Sequence, residues 1–529
     1  MSSKSTLKFM HLLLICVFII SGCSNGATSS EVEGTTSSES PSTTNNDNDS
    51  RTLTIAHGSD MQTTDIHNHS HTLTESIHIN MVNYLVKNEG DAGFVPDLAT
   101  EWKTLDDETW EFKLREGVTF HNGEEFTAED VEYTLERIAK DPSLQNHSQY
   151  RQIVDVEVID DYTVQIHTDG PQPAMLNRLS RSSSGMMPKD YIDEVGLEGY
   201  IEHPIGTGPY KFVEWVRDDR VVLEKYEDYW NKEYESDWDQ LVFRSIPENS
   251  TRVAEVLTGN VDIATNIPPA DWDRVNQSDG AAIISGETNR TMMLTLRLTE
   301  GYPTSDLRVR QAIDYAIEDK GLIDYVMGGS GTPKLNRENP GTFGFSGDFH
   351  DKYNYDPEKA KELLAEAGYA DGVKIKFHAT NGRYLQDREM AEVIVGMLAE
   401  VGITAELEFM EWSAFTEMRE ADKNEEMYLI GLASSLFDSA QGLDAYGSWQ
   451  TEGHTDYYNE EVDELLTAAE INMDPESRAE QYYRVQEIAA EELPYIYLFQ
   501  VDNFYAVSDR ISFIPRLNEM WMVEEIKMK

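Results

Sequence analysis

The sequence predicts a mixed α/β protein whose folded part contains two or more lobes. Segments with alternating apolar side chains, typical of strands, are interspersed with segments of helical periodicity. About 480 residues follow the polar N-terminal stretch, and this length is enough for at least two hydrophobic cores. No motif recurs at intervals of about 20 to 50 residues, which argues against a solenoid or a propeller.

The N-terminus is predicted to be the signal peptide of an exported lipoprotein. Two lysines precede the apolar stretch 9–20, which is too short to span a bilayer comfortably. The stretch is followed by a Ser-Gly-Cys sequence that resembles the bacterial lipoprotein box. This resemblance implies cleavage before Cys23, which removes residues 1–22, and acylation of Cys23. Because Cys16 leaves with the signal, the mature chain has no thiol for a disulfide or a metal site.

Residues 23–50 are predicted to be a flexible tether between the lipid and the folded body. They consist of Ser, Thr, Asn and acidic residues with almost nothing apolar, so burial cannot offset the entropy of ordering them. The whole chain has 43 basic and 97 acidic residues, a net charge of −54, which argues against nucleic acid as a partner. We therefore expect a lipid-anchored protein on the extracellular face of a cell membrane, of the Gram-positive type.

The first half of the folded body is predicted to combine helices with a partly antiparallel sheet. Residues 109–120 alternate apolar and polar side chains, as a half-buried strand does. A helix is predicted to begin after Thr127, an N-cap residue that is followed three positions later by Asp130. Residues 154–167 have the pattern of a hairpin that turns at two aspartates.

The second half of the body is predicted to contain a βαβ unit preceded by a helix. Asp356 as N-cap, Pro357 at the first helical position and Gly368 beyond the end delimit that helix. The elements predicted after it are a strand over 373–379, a helix over 387–402, and strands over 403–409 and 427–433.

The loops that follow these three strands are predicted to form a ligand-binding crevice. In open parallel sheets, ligands bind just beyond the carboxyl ends of the strands. Arg383, Trp412 and Asp438 follow the first, second and third strand, respectively. A guanidinium can hold a carboxylate, an aspartate can receive an ammonium, and a tryptophan can supply an apolar or cation–π wall. The alternative for each residue is an ordinary loop position.

The stretch TDIHNHSHT over residues 64–72 is a second candidate site. If this segment is extended, Asp65, His67, His69 and His71 share one face. Such a face can bind zinc or nickel, but alternating histidines also occur in polar loops. Three interpretations stay open: structural polar contacts, contact with an organic ligand, and a transition-metal site.

Several stretches together resemble the solute-binding lipoproteins of ABC importers, family 5, the peptide, dipeptide and nickel class. These stretches are 98–138, 204–215, 249–264, 306–329, 355–369 and 493–507. The resemblance implies a two-lobed periplasmic-binding-protein-like fold of type II, with an extra N-terminal subdomain and a two-strand hinge. It places lobe one at 51–292, lobe two at 293–493, and a return to lobe one at 494–529.

The resemblance also assigns roles to site residues. In dipeptide-binding relatives an arginine before the helix of the βαβ unit holds the peptide carboxylate, and Arg383 corresponds to it. Relatives place an acid after the third strand to receive the peptide amine; here Ser435 stands in that place, and Asp438 remains further along. The segment containing His67 corresponds to one near the lip of the cleft. The ligand-binding set is therefore Arg383, Asp438, Trp412, His67 and Ser435.

We expect a monomeric receptor without a cofactor that captures di- or oligopeptides and delivers them to the membrane subunits of an ABC permease. The alternatives are a receptor for nickel or a metal chelate, and a lipoprotein that senses peptides. A secreted zinc hydrolase using the histidines and Glu75 is disfavoured, because the sequence has no HExxH motif, no Gly-x-Ser-x-Gly motif and no remaining cysteine nucleophile.

Overall fold

One mixed sheet of eleven strands forms the framework of the molecule. The computed structural model describes residues 51–69, 71–90 and 93–529, so the predicted signal peptide, Cys23 and the tether lie outside the described residues. From one edge to the other, the strands are Ile403–Met410, Val373–Thr380, Met427–Ala433, Ala281–Leu296, Tyr495–Ser508, Ile263–Ala264, Thr52–His57, Gln240–Ser245, Arg220–Lys225 and Tyr210–Val216, and Thr332–Pro333 pairs with Tyr495–Ser508 off this path.

Two long antiparallel strands at the centre of the sheet connect its two sides. Ala281–Leu296 pairs through its C-terminal part with Met427–Ala433, and Tyr495–Ser508 pairs through its C-terminal part with Ile263–Ala264. Their mutual register shifts between Glu287 and Thr291. These strands are the two connections that the predicted two-strand hinge requires.

The predicted βαβ unit is confirmed on one side of the sheet. Val373–Thr380 and Ile403–Met410 pair in parallel over their full length, and the helix Asp387–Glu400 connects them. The third strand, Met427–Ala433, also runs parallel to Val373–Thr380. The carboxyl ends of these three strands therefore share one edge, as the sequence predicts.

The extra subdomain is built on a separate four-stranded antiparallel sheet. Its strands, in order, are Ala99–Asp106, Thr109–Leu114, Thr163–Thr168 and Ile153–Asp160. The predicted hairpin is confirmed, and the Asp160 carboxylate accepts a hydrogen bond from the Tyr162 N–H at 3.0 Å in its turn. The strand predicted over 109–120 is shorter than expected, because Gly117 adopts φ 75° just beyond its end.

The helices surround these sheets, and the predicted caps are present. The Asp356 side chain accepts from the Lys359 N–H, and the Thr127 N–H donates to the Asp130 carboxylate at 2.9 Å. The helices are Thr72–His78, Ala128–Lys140, Met175–Arg178, Lys189–Glu202, Asn249–Leu257, Pro269–Asn276, Leu307–Ala316, Asp319–Tyr325, Pro357–Glu366, Asp387–Glu400, Trp412–Glu420, Ser439–Gly442, Ser448–Thr451, Glu460–Ile471 and Pro475–Glu492. Within the described ranges, none of them is both long and apolar enough to cross a bilayer.

The buried apolar side chains of the described residues form three clusters. Ile375, Phe377 and Leu398 belong to the cluster around the βαβ unit. A second cluster contains Leu53 and Trp238, and a third fills the extra subdomain. The molecule thus has the two-lobed α/β fold with an extra subdomain that the sequence predicts, while the lobe boundaries stay a prediction.

Gly208 is a position where the fold tolerates no side chain. Its N–H donates to the Met81 carbonyl at 2.9 Å, and a Cβ atom at this glycine would lie 2.4 Å from the Met81 carbonyl carbon. Gly208→Ala should therefore destabilise the protein by about 1–3 kcal/mol and lower Tm by several degrees. Gly396→Ala is the matched control, because a Cβ there meets nothing within 4 Å. Equal melting temperatures for the two variants would contradict this description of the packing.

Candidate ligand-binding site

Two cavities lie beside the helix Thr72–His78. The larger, called here the large cavity, has a volume of about 580 Å³. This size is within the range of small-molecule sites in proteins. It is lined by residues from five segments, which lie within 75–94, 177–182, 341–343, 435–437 and 516–522. Lobe one and lobe two, as predicted from the sequence, both contribute to its wall.

The second space, called here the small cavity, has a volume of about 90 Å³. Its wall includes His71, Arg290, Arg383 and Glu519. The helix Thr72–His78 contributes to the walls of both spaces, since Ser76 lines the small cavity and its neighbour Glu75 lines the large one. Two guanidinium groups against one carboxylate make the small cavity suited to an anionic group.

The position of Arg383 is set by the carboxylate of Asp387. The N–H groups of Gly382, Arg383 and Tyr384 donate to this carboxylate at 2.8, 2.9 and 3.2 Å, and the Thr380 hydroxyl donates to it at 2.8 Å. Asp387 is the first residue of its helix, where the helix dipole also favours a negative charge. The loop after Val373–Thr380 is therefore held in one conformation, which directs Arg383 to the small cavity.

The side chain of Arg383 contacts Trp412, so the structure brings together two of the residues predicted for the crevice. The guanidinium carbon lies 4.7 Å from the centroid of the Trp412 ring and 5.0 Å from that of Tyr384. Its Nε is buried and has no hydrogen-bond partner in the described part of the chain. Burial lowers the pKa of Arg383 from its usual value. An anion entering the small cavity would supply the missing acceptor.

Arg290 and Glu519 belong to the same cavity but were not predicted from the sequence. The Arg290 Nε and Nη2 donate to Glu519 at 3.1 and 2.9 Å, and the Arg290 Nη1 donates to the Gly431 carbonyl at 3.0 Å. The amide of Asn503 donates to the other oxygen of Glu519 at 2.8 Å. Because 229 positions separate the two charged residues, no local pattern identifies the pair.

Ser435 and Asp438 have different environments. Ser435 lines the large cavity. Asp438 is buried and pairs with Arg478 through two hydrogen bonds of 2.7 Å, and it also caps the helix Ser439–Gly442. The structure does not bring Asp438 together with Arg383, and the charge of Asp438 is already balanced by that of Arg478. Its role toward a ligand stays a prediction.

The histidine segment is not extended, so the condition under which its histidines would share one face is not met. A turn forms in which the Asn68 N–H donates to the Asp65 carbonyl at 3.2 Å. The Asp65 carboxylate instead pairs with Arg137, whose Nη1 lies 2.7 Å from the His67 Nδ1. His69 packs edge-on against His78, with ring centroids 5.1 Å apart.

The side chains of these histidines are buried, which keeps them neutral. Burial, followed by the charge of Arg137, lowers the pKa of His67 to about 3. Burial also lowers the pKa of His69 to about 4, and it lowers the pKa of His71 well below its ordinary value. Among the described residues, no group of three or more His, Cys, Asp or Glu side chains is arranged to hold a metal ion.

The buried neutral His67 should make stability depend on pH. The unfolded chain binds a proton near pH 6.5, whereas the folded protein does so only near pH 3, so stability present above pH 6.5 is lost as the pH falls through this window. His67→Gln should reduce the loss by about 1.4 kcal/mol per pH unit, measured by urea unfolding between about pH 6 and pH 4.5. His203→Gln, at an exposed histidine, is the control. An unchanged slope in His67→Gln would contradict the neutral assignment.

Two lobes connected by two long strands, with a large cavity that segments of both predicted lobes line, define a two-lobed binding protein. The chain belongs to the bacterial extracellular solute-binding proteins, family 5, whose middle-region profile matches residues 93–454. The glutathione-binding protein GsiB of Salmonella typhi is 28% identical over 464 residues, which cover 84% of this chain and 88% of that protein. The family resemblance inferred from the sequence is confirmed.

Solved structures of related proteins share the fold. DppA from Helicobacter pylori, in complex with the peptide STSA, has a TM-score of 0.80 and 25% identity, and the match covers 90% of this chain and 98% of that chain. NikZ from Campylobacter jejuni, in complex with Ni(L-His), has a TM-score of 0.79 and 23% identity, over 90% of this chain and 99% of that chain. The ligands of these proteins differ in chemistry, so membership of the family establishes a receptor for a small solute and leaves its identity open.

Proposed function

We propose that this protein captures short peptides outside the cell and delivers them to the permease of an ABC importer. The observation that carries the proposal is the large cavity of about 580 Å³, which residues of both predicted lobes line. A space of this volume holds a solute of several linked groups. Family 5 membership and the peptide complex of the similar DppA support a peptide as that solute.

Arg383 is the residue proposed to bind the terminal carboxylate of the peptide. Its loop is held by Asp387, its guanidinium lies over the Trp412 ring, and its Nε has no hydrogen-bond partner among the residues that the structure describes. A guanidinium held in this way is already oriented before the ligand arrives, so little entropy is lost when the ion pair forms. The relatives are transport proteins, and we accordingly propose capture without chemical conversion.

Peptide binding should raise the melting temperature of the full chain. After removal of co-purified ligand by unfolding and refolding, peptides of two to six residues at about a thousand times their Kd should add about 4 kcal/mol. Arg383→Ala should abolish this shift, whereas Arg388→Ala, at an exposed arginine of the following helix, should retain it. Stabilisation by nickel or a nickel–histidine chelate alone would favour the metal receptor instead, and no stabilisation by peptides would refute the proposal.

We also propose that the protein is anchored to the outer face of the cell membrane through acylated Cys23. The apolar stretch 9–20, the Ser-Gly-Cys sequence and the polar residues 24–50 support this proposal. A tether of this composition allows a monomeric receptor to reach a permease in the same membrane.

Removal of the acylated thiol should release the protein from the membrane. Cys23→Ala should move the protein from the membrane fraction of expressing cells to the culture medium, because no lipid is attached. Cys16→Ala is the matched control and should leave the protein in the membrane fraction. Incorporation of a labelled fatty acid into the parent protein, and its loss in Cys23→Ala, is the direct measurement. Incorporation of the label into Cys23→Ala at the level of the parent protein would refute acylation of Cys23.

A further inference from the structure

In the wall of the large cavity, Glu75 and Arg181 form an ion pair whose charged groups are too far apart for a hydrogen bond. The Arg181 Nη2 lies 3.6 Å from the Glu75 carboxylate, beyond hydrogen-bond distance. The side chain of Arg181 is 9% exposed and that of Glu75 is 10% exposed, so both charges are held largely away from water. The buried pair between Asp438 and Arg478, in contrast, has two hydrogen bonds of 2.7 Å.

Neighbouring polar groups in this wall also lack partners. The Arg181 Nε and Nη1 and the Ser182 hydroxyl are buried without a hydrogen-bond partner among the described residues. A buried guanidinium that makes so few hydrogen bonds is costly, because it has lost its water without replacement. Unsatisfied buried donors on two consecutive residues of a cavity wall therefore mark a place where a ligand supplies the acceptors.

Two other cations line this wall, and their surroundings differ from those of Arg181. Arg516 pairs with Glu525, and the Lys87 Nζ lies 3.9 Å from the Asp97 carboxylate. Neither side chain has a buried nitrogen that lacks a partner among the described residues. Ser435, which stands where dipeptide-binding relatives have an acid, carries no charge for an amine. Among the described charged side chains that line the large cavity, Arg181 is therefore the one with buried donors left unsatisfied, and Glu75 is the carboxylate beside it.

We propose that Glu75 and Arg181 bind an amino-acid head group, in which an ammonium and a carboxylate are attached to the same carbon. The ammonium pairs with Glu75, and the carboxylate accepts from the Arg181 guanidinium and the Ser182 hydroxyl. Since the pair and the head group are each neutral overall, the ligand enters without burying a net charge. This inference rests on the proposed function and narrows the ligand class within it.

An intact amino-acid head group is present in one kind of peptide and absent from another. A peptide joined through the α-carboxylate of its first residue has a free ammonium there but no adjacent carboxylate. A peptide joined through the side chain of a glutamate keeps both groups on one carbon. The ligand class that fits Glu75 and Arg181 is therefore a side-chain-linked glutamyl peptide, or another solute that carries an intact amino-acid head group.

The test compares two isomers of equal mass and charge, γ-L-glutamylglycine and α-L-glutamylglycine. Calorimetric titration of the full chain should give at least about tenfold tighter binding of the γ isomer, and N-acetylation of this isomer should abolish its advantage. Glu75→Gln and Arg181→Gln should each remove the preference. The matched controls are Glu392→Gln and Arg388→Gln, which alter an exposed ion pair of 3.1 Å and should retain it.

The outcomes separate this inference from the proposed function. If short peptides bind and Arg383→Ala abolishes binding, but the two isomers bind equally or the preference survives in Glu75→Gln and Arg181→Gln, the head-group assignment is wrong and the proposed function stands. If no peptide binds, the proposed function fails. Titration with free L-glutamate then decides the head-group assignment: binding that both substitutions abolish supports it, and absence of binding overturns it.

Discussion

The antiparallel pairing of Ala281–Leu296 with Tyr495–Ser508 is the constraint on which the rest of the structure depends. These strands carry the parallel βαβ unit on one side and the strands of lobe one on the other. Where their register shifts, side-chain hydrogen bonds take the place of backbone hydrogen bonds between the two strands. The Thr288 hydroxyl donates to the Val501 carbonyl at 2.7 Å, and the Gln500 side chain donates to the Thr288 carbonyl at 2.9 Å. Arg290 follows this register shift directly, so the irregularity that interrupts the strand pairing also positions a cation in the wall of the small cavity.

The local architecture could be predicted because its causes are local. Asp356 and Thr127 cap their helices through residues three positions away, and the βαβ unit follows from short-range periodicity. Arg383 could be found for the same reason, since it follows a predicted strand at the edge where ligands bind. The limit of such reasoning appears at Gly117, whose positive φ ends a strand that the apolar alternation would continue.

The remaining site could not be predicted, because its partners are distant in sequence. Arg290 meets Glu519 across 229 positions, and Asp438 meets Arg478 across 40. The same holds for the loose contact of Glu75 with Arg181. The histidines show a different limit: their spacing puts them on one face only if the backbone is extended, and the turn at Asp65 instead gives each ring its own neighbours. The spacing of residues along the sequence predicts which side chains share a face only when the backbone conformation is known.

The contrast between an acidic exterior and arginines inside the site has a kinetic consequence. The protein has a net charge of −54, and its surface repels an approaching anion at distances where the attraction by Arg290 and Arg383 is still negligible. Dissolved salt weakens this repulsion beyond about 8 Å at physiological ionic strength, but it affects enclosed contacts much less. The association rate of an anionic solute would thus rise with salinity while its dissociation rate changes little. Such a receptor would collect its solute fastest in saline surroundings.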